Sequence, residues 1–348
     1  MMRPRFLLIL ALAVVLLAAA WWSLRGRTLP LGIHTLNAED AALQEAESAG
    51  AQYTLQVFPW RDIEPTRGEF HWEYTDWLVR AADYYHLHII ARLDQVPRWA
   101  APGSTGLNAP PDNPDDYADF AAAVAARYRG RVAGYIIWNE PNLAREWGDQ
   151  PPDPAGYGEL LKRSAARLHS ADPGAHIAAA ALAPTNENSD RAMDDRVFLR
   201  RLYAEGGGAA FDILAAHPYP FAHPPGDPRG ADGGLNFRRI EDWRDIMAAN
   251  GDTAKPIWIT EFGYPVETTP ADAALRVSEA EQAVWTAEAY ELARNEMPYV
   301  GLFTVWNLTR QPFAQNDQAG YSLVRANGTE RPAFAALQST EKESPAAA

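Results

Sequence analysis

Tyr135-Ile-Ile-Trp-Asn-Glu-Pro-Asn142 is an apolar, β-branched run that stops at a carboxylate and is broken by Pro141. Pro256-Ile-Trp-Ile-Thr-Glu-Phe-Gly263 repeats the arrangement, with Glu261 after the apolar run and Gly263 as the breaker. Short continuous apolar runs bounded by breakers read as strands buried on both faces. Each stretch therefore predicts a buried strand with a glutamate at its carboxyl end, the rim on which (β/α)8 barrels carry their chemistry. One glutamate at a strand end is usually a solvated residue or the partner of an arginine. Two in the same setting point to a pair facing one another across a cleft.

Working outward, apolar strand-like runs and amphipathic helical stretches alternate eight times, which predicts a single closed (β/α)8 TIM barrel. The expected strands are Leu31 to His34, Tyr53 to Phe58, His88 to Leu93, Val132 to Trp138, His176 to Leu182, Phe211 to Ala216, Pro256 to Thr260 and Val300 to Trp306. The expected helices are Ala38 to Ala49, Glu73 to Tyr85, Pro114 to Tyr128, Pro154 to Ser170, Arg191 to Glu205, Arg239 to Asn250, Ser278 to Glu296 and Pro332 to Leu337. In the third helix Tyr117, Phe120, Val124 and Tyr128 recur at spacings of three and four, an apolar stripe for the barrel wall. Three loops rich in Pro, Gly or Asn follow strands and are expected to overhang the carboxyl face: Ala101 to Pro114, Ala183 to Asp190 and Phe221 to Gly234.

A length of 348 residues admits two domains, but barrels of this size are commonly single units, and the alternation decides for one. The barrel is expected over residues 31–338, followed by an Ala-rich disordered tail over 339–348. Residues 1–30 form a signal or anchor segment with a short linker: Arg3 and Arg5 precede an apolar stretch from Phe6 to Trp22, and Arg25 and Arg27 follow it. Ala18-Ala-Ala20 offers a cleavage site, while the stretch is long enough to remain in a bilayer as a short span. Either way the expected location is extracytoplasmic, secreted or held at the membrane. A net charge of −14 without a basic run argues against nucleic acid as a partner. It also disfavours a strongly anionic glycan unless arginines cluster at the cleft. The absence of cysteine excludes disulfides and thiolate metal sites. His86 and His88 share a strand face, but no ligand-like spacing surrounds them, so no metal and no cofactor are expected.

Two carboxyl groups across a cleft are the minimal apparatus for breaking a glycosidic bond. Glu140 is expected to be the general acid and then base, its proton affinity raised by the apolar Ile137 and Trp138 and by the charge of Glu261. Glu261 is the expected nucleophile, with Tyr219 and His217 of Ala216-His-Pro-Tyr-Pro220 as hydrogen-bond donors to it. Asn139 can set its amide against a sugar hydroxyl beside the reacting carbon. Flat aromatic faces suit sugar rings, which makes Trp306, closing the last strand, a candidate platform, with Trp60 and His34 as further candidates for the floor.

These motifs resemble the clan of (β/α)8 retaining glycoside hydrolases whose acid/base lies in an Asn-Glu-Pro motif after strand four and whose nucleophile follows strand seven. Trp60-Arg-Asp-Ile-Glu-Pro-Thr-Arg-Gly-Glu-Phe70 resembles the segment after strand two in that clan. Tyr321-Ser-Leu-Val-Arg-Ala-Asn-Gly-Thr-Glu-Arg-Pro-Ala333 resembles the run feeding the last helix. Within the clan the chain looks most like glycoside hydrolase family 39 or a relative, with family 5 as the alternative. Leu93-Asp-Gln-Val-Pro-Arg-Trp99 departs from the Gly-Tyr-Thr-Pro type of run more usual in family 39. The resemblance implies a carbohydrate substrate, a β-linked poly- or oligosaccharide. A transglycosylase with the same glutamate pair, and a membrane-anchored carbohydrate-binding barrel without turnover, stand as the alternatives.

Overall fold

The computed structural model of the protein describes residues 27–36, 38–104, 106, 108–267, 270–308 and 318–340. Eight parallel strands close into a barrel in chain order: β1 (Leu31–His34), β2 (Tyr53–Pro59), β3 (His88–Asp94), β4 (Val132–Ile137), β5 (Ile177–Ala179), β6 (Ile213–Ala216), β7 (Ile257–Ile259) and β8 (Val300–Trp306), with β8 pairing back onto β1. One main helix follows each strand: α1 (Asp40–Ser48), α2 (Glu73–Tyr84), α3 (Pro114–Arg127), α4 (Pro154–Ala171), α5 (Asp195–Ala204), α6 (Arg239–Ala249), α7 (Glu279–Glu296) and α8 (Pro332–Gln338). The expected signal or anchor segment and most of the tail lie outside the described residues. Among those described, no helix is long and apolar enough to cross a membrane.

Local chemistry starts the helices where the alternation places them. Asn113 and Asp153 each accept a hydrogen bond from the backbone two residues on, with proline as the first helical residue of α3 and α4. Ser278 and Glu281 form a reciprocal capping box at α7. Because side chains alternate across a strand, outward residues such as Ile89, Leu93, Ile137, Ile259 and Phe303 join the helices in the main core. A separate cluster fills the lumen: Leu55, Ile90, Ile136, Ala178, Ile213, Ala215 and Leu302, with Tyr53 and Trp258 against it. Arg92 pairs in register with Ile136, and Trp306 with His34, so these side chains continue the lumen face to its carboxyl end.

Several elements are shorter than the sequence pattern suggests, and for three of them the cause lies around the β4 exit. β4 stops at Ile137 because Trp138 adopts φ 77° and turns the chain out of the ladder. β5 stops at Ala179 because Ala180 and Ala181 bond elsewhere, Ala180 N–H to the Tyr157 hydroxyl and Ala181 C=O to the Glu140 N–H. α5 starts at Asp195 rather than Arg191, since residues 191–193 bridge to the β4 exit and Asp194 is the cap.

In the lumen, a Cβ at Gly134 would lie 2.7 Å from Trp258 Cζ3. Gly134→Ala is therefore expected to overpack the barrel floor and lower stability by about 1–3 kcal/mol, read as a drop in the urea midpoint. An unchanged midpoint would show that the floor has slack.

Candidate active site

The β4 exit is shaped before any side chain is considered. Trp138 and Glu140 both lie in the left-handed region, at φ 77° and 39°, a conformation costly for residues with a Cβ and held only where neighbours fix it. Asn142 does much of the fixing. Fully buried, it donates to the Ala183 and Met193 carbonyls, and its Oδ1 accepts from Ala183 N–H. The residue after the breaker Pro141 thus carries a side chain that fastens the β4 exit to the loop after β5.

Around that turn, four strands meet. His217, two residues beyond the lumen residue Ala215, places Nδ1 2.9 Å from Glu140 Oε1 and 3.7 Å from Glu261 Oε2. Arg92 donates from Nη1 to Glu261 Oε1 at 2.6 Å and to Asn139 Oδ1 at 3.1 Å, and from Nε to Asp94 Oδ2 at 2.8 Å. The Tyr219 hydroxyl donates to Glu261 Oε2 at 2.9 Å. Burial, followed by the charge of Glu261, pushes the Tyr219 phenol well above its usual range, so it stays a donor. Burial opposes the Arg92 charge, but Asp94 and Glu261 outweigh it and raise the guanidinium pKa.

Glu140 differs from the sequence-based expectation. Burial by itself pushes its carboxyl up, but the hydrogen bond and charge of His217, then Arg145 and Arg92, outweigh burial and leave its pKa below the ordinary glutamate value. His217 was expected to serve Glu261, and its short contact is with Glu140 instead. The groups bonded to Glu261 are Tyr219, as expected, and Arg92.

A cleft of about 550 Å³ opens over this cluster, within the roughly 300–1,000 Å³ usual for ligand sites. Glu140, Glu261, Asn139, Tyr219 and Trp306 line it, and each of the three long loops contributes, through Asn108, Ala183 and Phe221. His34 lies behind Trp306 with the rings edge to face at 4.4 Å; it is wholly buried, and burial, Arg92 and His217 push its imidazole well below its usual range. It supports the platform from behind. Trp60 is not at the floor. Its indole is fully buried, stacked on Phe120 at 5.3 Å and edge-on to Trp99 and Tyr117, with Nε1 bonded to Glu64, because β2 ends in a helical turn that tucks it under α3.

Sequence reasoning missed Arg92, Asp94, Arg145 and Glu146. The first two were legible in principle as polar residues on the lumen parity of β3, following Ile90. Glu146 accepts from Asn108 Nδ2 at 2.6 Å and lies 3.5 Å from Asn139 Nδ2. Burial and the charge of Glu140 push its carboxyl up to about 7. Nothing in the chain pattern around Arg145-Glu-Trp147 marks it as a third cleft carboxyl.

Among the described residues one group has the chemistry to hold a cation, His223, Asp227 and Asp232 in the loop after β6; it is half-buried to exposed and does not line the cleft. A groove of about 540 Å³ between α5 and α6 is lined by Arg196, Arg229, Asp242 and Asp245, which pair with one another.

No family model matches the chain, and no protein of curated function matches it in sequence. Solved structures do. A family 39 glycoside hydrolase from the gut symbiont Bacteroides cellulosilyticus WH2 superposes with a TM-score of 0.71 over 90% of this chain at 20% identity. The likeness is one of fold, the closed (β/α)8 barrel. This chain spans 63% of the length of that family 39 protein. Native xylanase 10B from Thermotoga maritima gives a TM-score of 0.61 at 15% identity, covering 89% of this chain and 94% of its own. An exo-beta-1,4-mannosidase from Opitutaceae bacterium strain TAV5 gives 0.60 at 17% identity, covering 90% and 59%.

The raised Glu146 carboxyl makes stability depend on pH. Folding favours its protonated form, so its contribution is full below about pH 4.5, the ordinary value, and is lost as pH rises through about 7. Glu146→Gln, a neutral isostere, is expected to be more stable than the parent by about 2–3 kcal/mol near pH 8 and to match it near pH 4. Paired urea titrations at the two pH values check this, and a gap that does not change with pH would refute it.

Proposed function

We propose that the protein is a retaining glycoside hydrolase that cleaves a β-linked poly- or oligosaccharide by double displacement, with Glu261 as nucleophile and Glu140 as acid and then base. The observation that carries this reading is the pair of strand-end carboxylates flanking one imidazole nitrogen, at 2.9 and 3.7 Å from His217 Nδ1. Their facing oxygens are no further apart than those two legs laid end to end, and closer for any bent arrangement. Retaining enzymes hold their carboxyl groups about 5–5.5 Å apart, whereas inverting ones need roughly 6.5–9.5 Å to admit a water. The two legs admit the retaining spacing, and the anomer released first decides between the two mechanisms.

Each residue then has a role. Glu261, held by charge-assisted bonds from Arg92 and by Tyr219, attacks the anomeric carbon and forms a glycosyl-enzyme as the leaving-group oxygen takes a proton from Glu140. Glu140 next removes a proton from water, which attacks the same carbon and frees Glu261. Arg92 holds the Asn139 carbonyl, which leaves the amide for a hydroxyl beside the reacting carbon, and Trp306 offers its ring to the sugar face. The xylanase and the mannosidase among the structural neighbours support a glycan as substrate. From the apolar stretch Phe6 to Trp22 we further infer that the activity is exerted outside the cytoplasm.

The test is turnover of a panel of β-linked oligosaccharides by the full chain in mild detergent, followed by proton NMR. Product appearing first as the β anomer is expected, and the α anomer first would refute the retaining assignment. Glu261→Ala is expected to abolish turnover. Glu140→Ala is expected to cost about 10²–10⁴-fold on unactivated substrates, with azide restoring turnover of dinitrophenyl glycosides as the β-glycosyl azide. Equal loss on all substrates without rescue would remove Glu140 from the acid/base role.

A further inference from the structure

Glu140 uses its two oxygens differently. Oε1 faces His217 and, through it, Glu261; Oε2 faces Arg145 Nη2 at 3.6 Å. The acid protonates the leaving group, so in the proposed reaction the cleft beyond Oε2 is the leaving-group side. Arg145, Glu146 and Asn108 line the cleft there.

The two cleft arginines are in opposite condition. Arg92 is almost wholly buried and spends its donors on Asp94, Asn139 and Glu261. The Arg145 side chain is 73% exposed, and its contacts are the two long ion pairs to Glu140 and to Glu146, the latter at 3.8 Å. Neither distance is a hydrogen bond, so among the described residues Arg145 makes none, and the whole guanidinium fork is open to a planar anion. Near and below neutral pH Glu146 is substantially protonated, which leaves Glu140 as the main competitor for that charge.

We propose that Arg145 docks a carboxylate-bearing sugar on the leaving-group side of the cleft, and that this contact releases Glu140 to take up the proton it delivers. The inference rests on the glycosidase reading and resolves a tension within it. In the empty site, Arg145 is one of the charges holding the Glu140 proton off, the reverse of what a general acid needs. A ligand carboxylate on Arg145 cancels that charge and adds repulsion towards an ionised Glu140, and both effects favour proton uptake from solvent. The substrate class is thereby narrowed to a β-linked glycan with an acidic residue following the cleaved bond.

The first probe is binding to the full chain in mild detergent, by saturation-transfer NMR, with D-glucuronate and its uncharged counterpart D-glucose. Glucuronate is expected to bind more tightly, and Arg145→Gln to weaken it roughly tenfold with no change for glucose. Equal binding of the two sugars, or glucuronate binding indifferent to Arg145→Gln, would overturn the proposal. The second probe is the carboxyl titration of Glu140 in ¹³C-glutamate-labelled protein, assigned with Glu140→Gln. Its midpoint is expected to rise in Arg145→Gln and, in the parent, on saturation with glucuronate; a midpoint fixed in both overturns the coupling. The third compares 3-carboxyphenyl with 3-carbamoylphenyl β-glycosides, for which the kcat/KM ratio should favour the carboxylate and fall towards one in Arg145→Gln. If neither aryl glycoside nor any panel glycan is turned over, the catalytic reading falls, while the binding and titration results still decide the Arg145 site.

Discussion

The site depends on one buried guanidinium. Arg92 stands on the lumen face of β3 and reaches β7 through Glu261, the β4 exit through Asn139, and its own strand through Asp94. A charge placed there without partners would cost several kcal/mol in lost hydration, and taking away one partner of such a network is more damaging than never having built it. The barrel therefore brings Glu261 and Asn139 to where they are because Arg92 must be met from both sides. Apolar layers beneath it, from Ile90 through Leu302, exclude water from below and strengthen those contacts.

Backbone geometry on the other side answers to a different constraint. The β4 exit passes through two left-handed residues, Trp138 and Glu140, with a buried asparagine stapling the turn to the loop after β5. β5 ends early beside it, since Ala181 C=O accepts from Glu140 N–H and Ala180 N–H donates to the Tyr157 hydroxyl. Strain and staple together aim the Glu140 carboxyl into the lumen mouth. A smooth strand end would send it along the wall.

Much of this was readable in the residues, and the parts that were not share a cause. Period and breakers placed all eight strands and eight helices, because burial on both faces leaves little choice of pattern. The Tyr219 hydroxyl lies against Glu261, the partner its position after β6 suggested, and Trp306 lines the cleft. Trp60 was misplaced since a Trp after a strand serves the rim or the core equally well, and the deciding neighbours, Phe120 and Tyr117, come from α3, far away in the chain. The proton affinity of Glu140 was misread for the same reason. Its sequence neighbours are apolar and argue for a raised value, whereas His217 from β6 and Arg92 from β3 set it in space. Contacts between strands distant in sequence leave no local trace, and it is these contacts that set the charge of the site.

The two glutamates emerge with unequal surroundings. Glu261 receives fixed partners from rigid strand ends, Arg92 and Tyr219, both of them largely buried in the site. Glu140 has one fixed partner, His217, and one exposed, loosely held cation, Arg145, that no hydrogen bond among the described residues holds. A nucleophile in the proposed mechanism has to be a carboxylate at the start of every turnover, and rigid donors suit that demand. An acid that becomes a base has to change its charge twice per turnover, so part of its electrostatic environment has to move or be displaced. Arg145 is the one of these groups that is free to do so, which is why the leaving-group side, rather than the buried floor, is where the chemistry of a substrate would be felt first.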